Sequence, residues 1–383
     1  MKFVNFNIIE ISIPFQSKFK HSLASRIKSS SVIFEIIVDN GMTGFGEGAP
    51  REYVTGESIK TTVKALRFVS EKLKNKTIDM SVNVIDIIKN TQIQLVDILE
   101  FAPSAKCALE LALLDLFGKI FSKPVMSFFG DQKTVDILYS GVISNNKTSE
   151  IYKILNLKKT LIIKQVKIKA GKNFDTDIEK LKIIKSYLDD DIEFRIDANG
   201  AWNLKEALKR IEFYNKYDVK IFEQPMGPDL KKDYPYLLKR VGDKNKIIVD
   251  ESICNFDDAM WFIDNKGANG INLKISKHGG LINTLLIHKL SSDNGFKNQI
   301  GCHVGETSIL TSASVVFSAL TQDLFAYEGA YGNFLLEFDL IKDPIQFDKY
   351  GYLNTDYFNS KTGFGIEIDP NLLNSACISK YQY

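Results

Sequence analysis

The sequence predicts an α/β protein: a parallel (β/α)8 TIM-type barrel fitted with an α+β cap. Three observations carry that expectation. Short β-branched runs alternate with amphipathic segments from about residue 135 onward. Their ends recur every 24–28 residues, at Gly141, Lys169, Asp197, Glu223, Asp250, Lys274, Cys302 and Glu328. A strand, a loop and a helix fit each interval, the pattern of successive βαβ units, and eight such units close a barrel. Finally, the consecutive ends from Lys169 to Lys274 each place an ionisable side chain directly after an apolar run. A doubly wound open sheet is the competing architecture, but no GxGxxG follows the first run.

The elements follow in order. Residues 2–48 read as strands: VIFEIIV (32–38), the turn Asp39-Asn40-Gly41 and MTGFGEG (42–48) form a meander pattern. Residues 57–74 show helical periodicity, with Ile59, Val63, Leu66 and Val69 along one face. Residues 103–121 repeat it with Ala105, Leu109, Ala112, Leu113 and Leu116. Residues 1–125 are therefore assigned to the cap and 126–330 to the barrel. VDILYSG (135–141) is read as the first barrel strand and LFAYEGA (324–330) as the last. Residues 331–383 contain an expected strand, FLLEFDL (334–340), and are expected to return to the cap.

Composition narrows the function classes. A chain of 383 residues suits two domains. It is 44% hydrophobic and 25% charged, with a net charge of +2 and no long block of one sign. That balance argues against a nucleic-acid or polyanion surface. The N-terminal run MKFVNFNIIEISIPF alternates like a strand, lacks a signal-peptide cleavage site, and no apolar run is long enough to span a bilayer. Cys107, Cys254, Cys302 and Cys377 show neither CxxC nor zinc-finger spacing, so reduced thiols in the cytoplasm are expected.

The charged strand ends carry the chemistry, because barrel enzymes place catalytic groups at the C-terminal ends of their strands. Asp197, Glu223 and Asp250 come from three adjacent strands. Convergent carboxylates repel unless a cation neutralises them. All-oxygen ligation suits Mg²⁺, or Mn²⁺, and not zinc. Lys169 and Lys274 flank the triad on strands expected to face each other across the barrel. A lysine beside a divalent cation and a second ammonium, here Lys167, is expected to release its proton more readily. The metal would stabilise the enediolate formed when a proton leaves the carbon beside a carboxylate. One lysine would take that proton and the other return one to the opposite face. Lys167 could instead touch the substrate carboxylate. Asn199 and Glu251 are candidates for orienting the ligands and the Lys274 ammonium, or are turn residues.

Taken together, KIK (167–169), DANGAW (197–202), EQP (223–225), DES (250–252) and NLKISKHGG (272–280) resemble the enolase superfamily, in its muconate-lactonizing subgroup. GFGEGAP (44–50) and ALELALLDLFGK (108–119) are similar to that family's cap signatures, and GCHVGETS (301–308) to its seventh strand. The resemblance implies a lysine base on each side of a Mg²⁺ site, a small-molecule substrate and a homo-oligomer. It implies an isomerase close to the dipeptide epimerases of the L-Ala-L-Glu/L-Ala-D-Glu type. o-Succinylbenzoate synthase, N-acylamino acid racemase and muconate cycloisomerase share the same site and stay open.

Substrate choice is expected in the cap loops and at the end of strand 8. Arg26 stands where such epimerases place an arginine for the glutamate side chain, a task suited to bidentate guanidinium. Tyr53 and Thr55 are candidate wall residues. The family's Asp-x-Asp at strand 8, which holds the dipeptide's ammonium, reads Tyr327-Glu328-Gly329-Ala330 here. Glu328 is expected to do the first Asp's work. A Schiff-base aldolase barrel is disfavoured by the carboxylate triad, and an inert scaffold by the full set of acids, bases and ligands.

Overall fold

The computed structural model describes residues 1–20, 25–130, 134–143, 151, 164–188, 192–321 and 323–383, with side chains omitted for 17–20, 25 and 26. The cap sheet begins with β1 (Phe3–Ile11), followed by a hairpin of β2 (Pro14–Lys20) and β3 (Ser25–Lys28). β4 (Ser31–Val38) and β5 (Thr43–Gly48) complete the meander, turned at Gly41 with φ 83°. Helices Ile59–Leu73, Val84–Gln94 and Pro103–Ile120 cover the sheet. The alternate glycines of β5 explain how closely the last of these packs. A Cβ at Gly44, Gly46 or Gly48 would overlap the carbonyl oxygens of Ala112, Ala108 and Ser104, one helical turn apart.

The barrel strands are β7 (Gly141–Ile143), β8 (Gln165–Lys169), β9 (Glu193–Asp197), β10 (Ile221–Glu223), β11 (Lys246–Val249), β12 (Gly270–Leu273), β13 (Gln299–Ile300) and β14 (Ala326–Tyr327). They form one eight-stranded sheet in sequence order, and every pairing within it is parallel. A parallel bridge from Tyr139 to Tyr327, with Ser140 N donating to Tyr327 O at 2.8 Å, joins the two ends. Among the described residues no helix is long and apolar enough to cross a membrane.

Two strand assignments change. The run 135–141 is not one barrel strand: β6 (Asp136–Leu138) pairs antiparallel with β15 (Tyr352–Asn354), and the barrel strand starts where the run ends, at Gly141. Three-residue strands leave too little alternation to separate the two. FLLEFDL is not a strand either. Leu336 bridges Phe15, Leu336 and Leu340 are buried, and Asp339 turns back to accept from Ser308 N and Oγ at the start of helix Ser308–Leu320. The C-terminal β16 (Cys377–Gln382) pairs antiparallel with β1, giving the cap sheet order β16-β1-β4-β5.

Buried carboxylates on the cap hold two barrel helices by their N-termini. Glu47 on β5 accepts from Thr307 N, Thr307 Oγ1 and Leu310 N. Glu110, from helix Pro103–Ile120, accepts from Ile282 N at the start of helix Leu281–Asp293 and from Gln92 Nε2. Both sites favour a carboxylate through unpaired N–H groups and the helix dipole. Burial opposes this, pushing Glu47 up to about 6 and Glu110 up to about 7.

Candidate active site

Parallel register lines the charged residues up across the barrel. Lys167 pairs with Arg195 and Lys169 with Asp197, while Asp197 pairs in turn with Glu223. Because side chains alternate along a strand, Lys167 and Lys169 face the same side at two depths. Lys167 is sealed inside, at 4% side-chain exposure, whereas Lys169 and Lys274 reach the mouth at 14% and 12%. β8 and β12 lie half a turn apart in the eight-stranded order, so Lys169 and Lys274 oppose each other across the three carboxylates.

Each carboxylate has its own cations. Asp197 Oδ2 accepts from Lys169 Nζ at 2.5 Å and lies 3.4 Å from Lys167 Nζ. Asp250 accepts from Lys274 through Oδ2 at 2.5 Å and from Lys277 through Oδ1 at 2.8 Å. Glu223 takes both its oxygens to Lys167 at 3.2 Å, and also accepts from Asn272 Nδ2 and Gln299 Nε2 at 2.8 Å each. Asn199 bridges Lys169 and Glu251, accepting at 3.0 Å and donating at 3.0 Å.

Burial and the neighbouring Asp197 charge push the Glu223 carboxyl up, against Lys167. Burial would raise Asp250 as well, but Lys274 and Lys277 hold it well below the usual carboxylate range. Burial works to lower Lys274, yet Asp250, Glu251 and Glu223 outweigh it and hold the ammonium above its ordinary range. Lys167 is held up in the same way by Glu223, Glu328 and Asp197.

The three strand-end carboxylates fit a hard divalent cation by donor chemistry: all oxygen, from adjacent strands, and at most 2% exposed. Among the described residues no three acidic, histidine or cysteine side chains are placed so as to ligate one metal ion. The ammonium groups of Lys167, Lys169 and Lys274 take up those oxygens and balance the charge. Glu251 keeps a buried Oε2 with no partner beside this cluster, and burial followed by Asp250 pushes its carboxyl up.

The substrate candidates fare differently. Arg26 lies on β3, opposite Phe19, and its side chain is outside the described part of the structure. Tyr53 and Thr55 lie on the one-turn helix Glu52–Thr55 at the cap–barrel junction, half-buried. Thr55 Oγ1 donates to Arg51 O at 3.5 Å. Thr55 lines a cavity of about 610 Å³ with Lys106, Cys254 and His278, whose lining includes none of the mouth lysines or triad carboxylates. Glu328 is drawn into the barrel and away from its mouth, because its carboxylate meets Lys167 at 2.5 Å and Arg195 at 3.1 Å.

Several supporting residues escaped the sequence reading. Lys277, three positions after Lys274, is fully buried and also donates to the carbonyls of Asp250 and Asn272. Arg195, Asn272 and Gln299 sit at inward positions of β9, β12 and β13, a signal available from strand alternation. Gln224 has φ 39°, uncommon for a residue other than glycine or asparagine. Its side chain accepts from Asp250 N at 2.7 Å and donates to Met226 O at 2.8 Å and Ser252 Oγ at 2.5 Å. It thereby fixes the end of β11 from the end of β10, which accounts for the EQP and DES segments together.

Comparison with known proteins agrees with this geometry. Residues 155–372 match the enolase C-terminal domain-like family. Residues 5–130 match the mandelate racemase/muconate lactonizing enzyme N-terminal domain. The chain is 28% identical over 326 residues to a hydrophobic dipeptide epimerase of Enterococcus faecalis, covering 85% of this chain and 89% of that protein. It is 30% identical over 316 residues to an L-Ala-D/L-Glu epimerase of Clostridium acetobutylicum, covering 81% and 84%. A crystal structure of a dipeptide epimerase from Enterococcus faecalis complexed with Mg and the dipeptide L-Leu-L-Tyr superposes with a TM-score of 0.85 at 25% identity, covering 96% of this chain and 100% of that one. Both halves of the fold and the charged strand ends thus lead to one assignment: the chain belongs to the enolase superfamily, with the domain pair of the mandelate racemase/muconate lactonizing enzymes.

Proposed function

We propose that this protein is an isomerase that epimerises dipeptides by moving a proton between the two faces of one carbon, with L-Ala-L-Glu/L-Ala-D-Glu as the leading substrate pair. The observation that carries the reading is the opposition of Lys169 and Lys274 across the carboxylate triad, each on a different carboxylate. A substrate carbon between them presents its hydrogen to one lysine in one stereoisomer and to the other lysine in its epimer. Lys169 takes or returns the proton on the β8 side, and Lys274 does so on the β12 side. Asp197, Glu223 and Asp250 would hold Mg²⁺, which supplies positive charge to the substrate carboxylate and so acidifies the neighbouring carbon. Asn199 and Glu251 orient Lys169 and Asp197 from the side. Arg26 is the group proposed for an acidic side chain of the substrate.

The test is proton exchange in D₂O. The protein with Mg²⁺ is incubated with a panel of L,L-dipeptides, and each is followed by mass spectrometry and chiral chromatography. Gain of one deuterium with inversion in Ala-Glu supports the proposal. Inversion in hydrophobic dipeptides alone keeps the reaction and removes Arg26 from it. Exchange with no inversion points to the lyase or cycloisomerase reading, in which one lysine is the base and the other stays a cation. No exchange in any dipeptide overturns the proposal.

A further inference from the structure

The cavity at the cap–barrel junction, about 610 Å³, falls within the size range of small-molecule sites. Its cap side is built from Val96, Leu99, Phe101 and Pro103, in the stretch leading from helix Val84–Gln94 into helix Pro103–Ile120. Its barrel side is built from Phe256, which opens helix Phe256–Asp264, and from Leu286 and Ile287 on helix Leu281–Asp293. Phe101 is 80% exposed, and Phe256 and Leu286 are exposed as well. Single exposed apolar side chains are ordinary, but three that line one concavity mark a ligand-binding surface.

The polar groups of the same cavity ask for a particular ligand. His278 is buried, and its Nδ1 lies 3.3 Å from Cys254 O. A carbonyl only accepts, so Nδ1 carries the hydrogen. Burial, followed by the Lys277 ammonium, holds the ring well below the usual histidine range and so keeps it neutral. Nε2 is therefore an acceptor. It is buried and has no hydrogen-bond partner among the described residues. An unpaired buried acceptor is costly, and a donor in the cavity would relieve it. The Cys254 thiol is not that donor: it points its hydrogen at Val54 O, 3.5 Å away, and burial pushes it up to about 11.

Lys106 brings a cation. Its stem lies over Gly279, where an added Cβ would sit 3.2 Å from Lys106 Cδ. Its ammonium makes no hydrogen bond or ion pair among the described residues. Burial lowers it, with Glu110 opposing, and Glu110 is already committed to Ile282 N and Gln92 Nε2. A partly desolvated ammonium without a partner calls for an anion. Glu100 and Asp257 also line the cavity and are exposed to solvent. They repel a plain anion and favour a ligand that carries a positive charge as well. A zwitterion meets all of these demands at once.

We propose that this cavity binds a free apolar α-amino acid, at a site separate from the barrel mouth. The carboxylate meets Lys106, the ammonium donates to His278 Nε2, and the side chain lies on the wall of Val96, Phe101 and Leu286. The proposal does not depend on the epimerase reading. Equilibrium dialysis of the unaltered protein against labelled L-phenylalanine and L-leucine should show saturable binding of one molecule per chain. As competitors, 3-phenylpropionate lacks the ammonium and phenethylamine lacks the carboxylate. Each should bind about tenfold or more weakly than L-phenylalanine, the range for a lost charged hydrogen bond. Equal binding of either competitor overturns the proposal, because the charge it lacks then has no receptor. Lys106→Met should weaken binding to the same extent. Leu286→Trp, which enlarges an exposed side chain of the lining, should block it. Both variants are compared in samples whose thermal unfolding matches that of the unaltered protein. Lys274→Ala should leave binding unchanged. Loss in Lys274→Ala with retention in Lys106→Met would place the amino acid at the barrel mouth and overturn the assignment, as would no saturable binding of either amino acid.

Discussion

The two lysines that face each other across the barrel stand on different supports. On the β8 side, Lys169 shares Asp197 with Lys167 and leans on Asn199, which reaches over to Glu251 on the far side of β10. On the β12 side, Lys274 shares Asp250 with Lys277, and Lys277 is tied to main-chain carbonyls of Asp250 and Asn272. One support is a relay of side chains and the other is anchored in backbone. A reaction that runs in both directions needs two bases of comparable reach, not two identical surroundings. The side-chain relay can adjust without disturbing the sheet, while the backbone anchor couples the β12 side to the stability of the barrel.

The largest expected effect tests whether the two sides are equivalent in chemistry. Lys169→Ala and Lys274→Ala should each lower epimerisation by about a thousandfold or more, in the range for loss of a positioned base. Each variant should still exchange the hydrogen of one stereoisomer with solvent, and the two variants should choose opposite stereoisomers. Interconversion at near full rate in either variant breaks the comparison.

The anchoring is tested next. Lys277→Met removes one partner of a fully buried pair and should cost about 3–5 kcal/mol in urea unfolding. A loss below about 1 kcal/mol would show that the β12 side is not anchored as described.

A pH effect should also fall on the β12 side. Glu110 holds the helix that follows Lys274, and burial raises its carboxyl from 4.5 to about 7. A folded-state value above the unfolded one means that the contribution is complete below 4.5 and lost as pH rises through 7. Stability should therefore decline across that window by up to about 3 kcal/mol relative to Glu110→Gln. Parallel curves for the two proteins would remove Glu110 from the account.

The smallest effect belongs to the relay. Asn199→Ala should lower kcat about tenfold while costing less stability than Lys277→Met. The reverse order of stability would invert the comparison.

Much of this was legible in the chain because strand ends sit at regular spacing and charge after an apolar run is visible directly. Lys169, Asp197, Glu223, Asp250 and Lys274 are found that way, and the structure brings them together. Lys277 and Arg195 were missed: an arginine two before a strand end is readable by alternation, whereas Lys277 lies in the turn after β12, where no strand period holds. The strand read at 135–141 and the strand read at 334–340 failed for a different reason. Both are short apolar segments whose hydrogen-bond partners lie far off in sequence, with Asp136–Leu138 taken by Tyr352–Asn354 and Leu336 by Phe15.

Glu328 marks where local reading stops. Its place at the end of the last barrel strand follows from chain order, as do the eight-unit repeat, the charged arc and the close glycines of β5. Which cation it meets does not. Lys167 lies 161 residues away, and only closure of the barrel brings the two within 2.5 Å. Periodicity depends on neighbours along the chain, so the sequence displays it. The pairing of buried charges depends on which strands face one another across the closed barrel, and at that distance only the fold decides it.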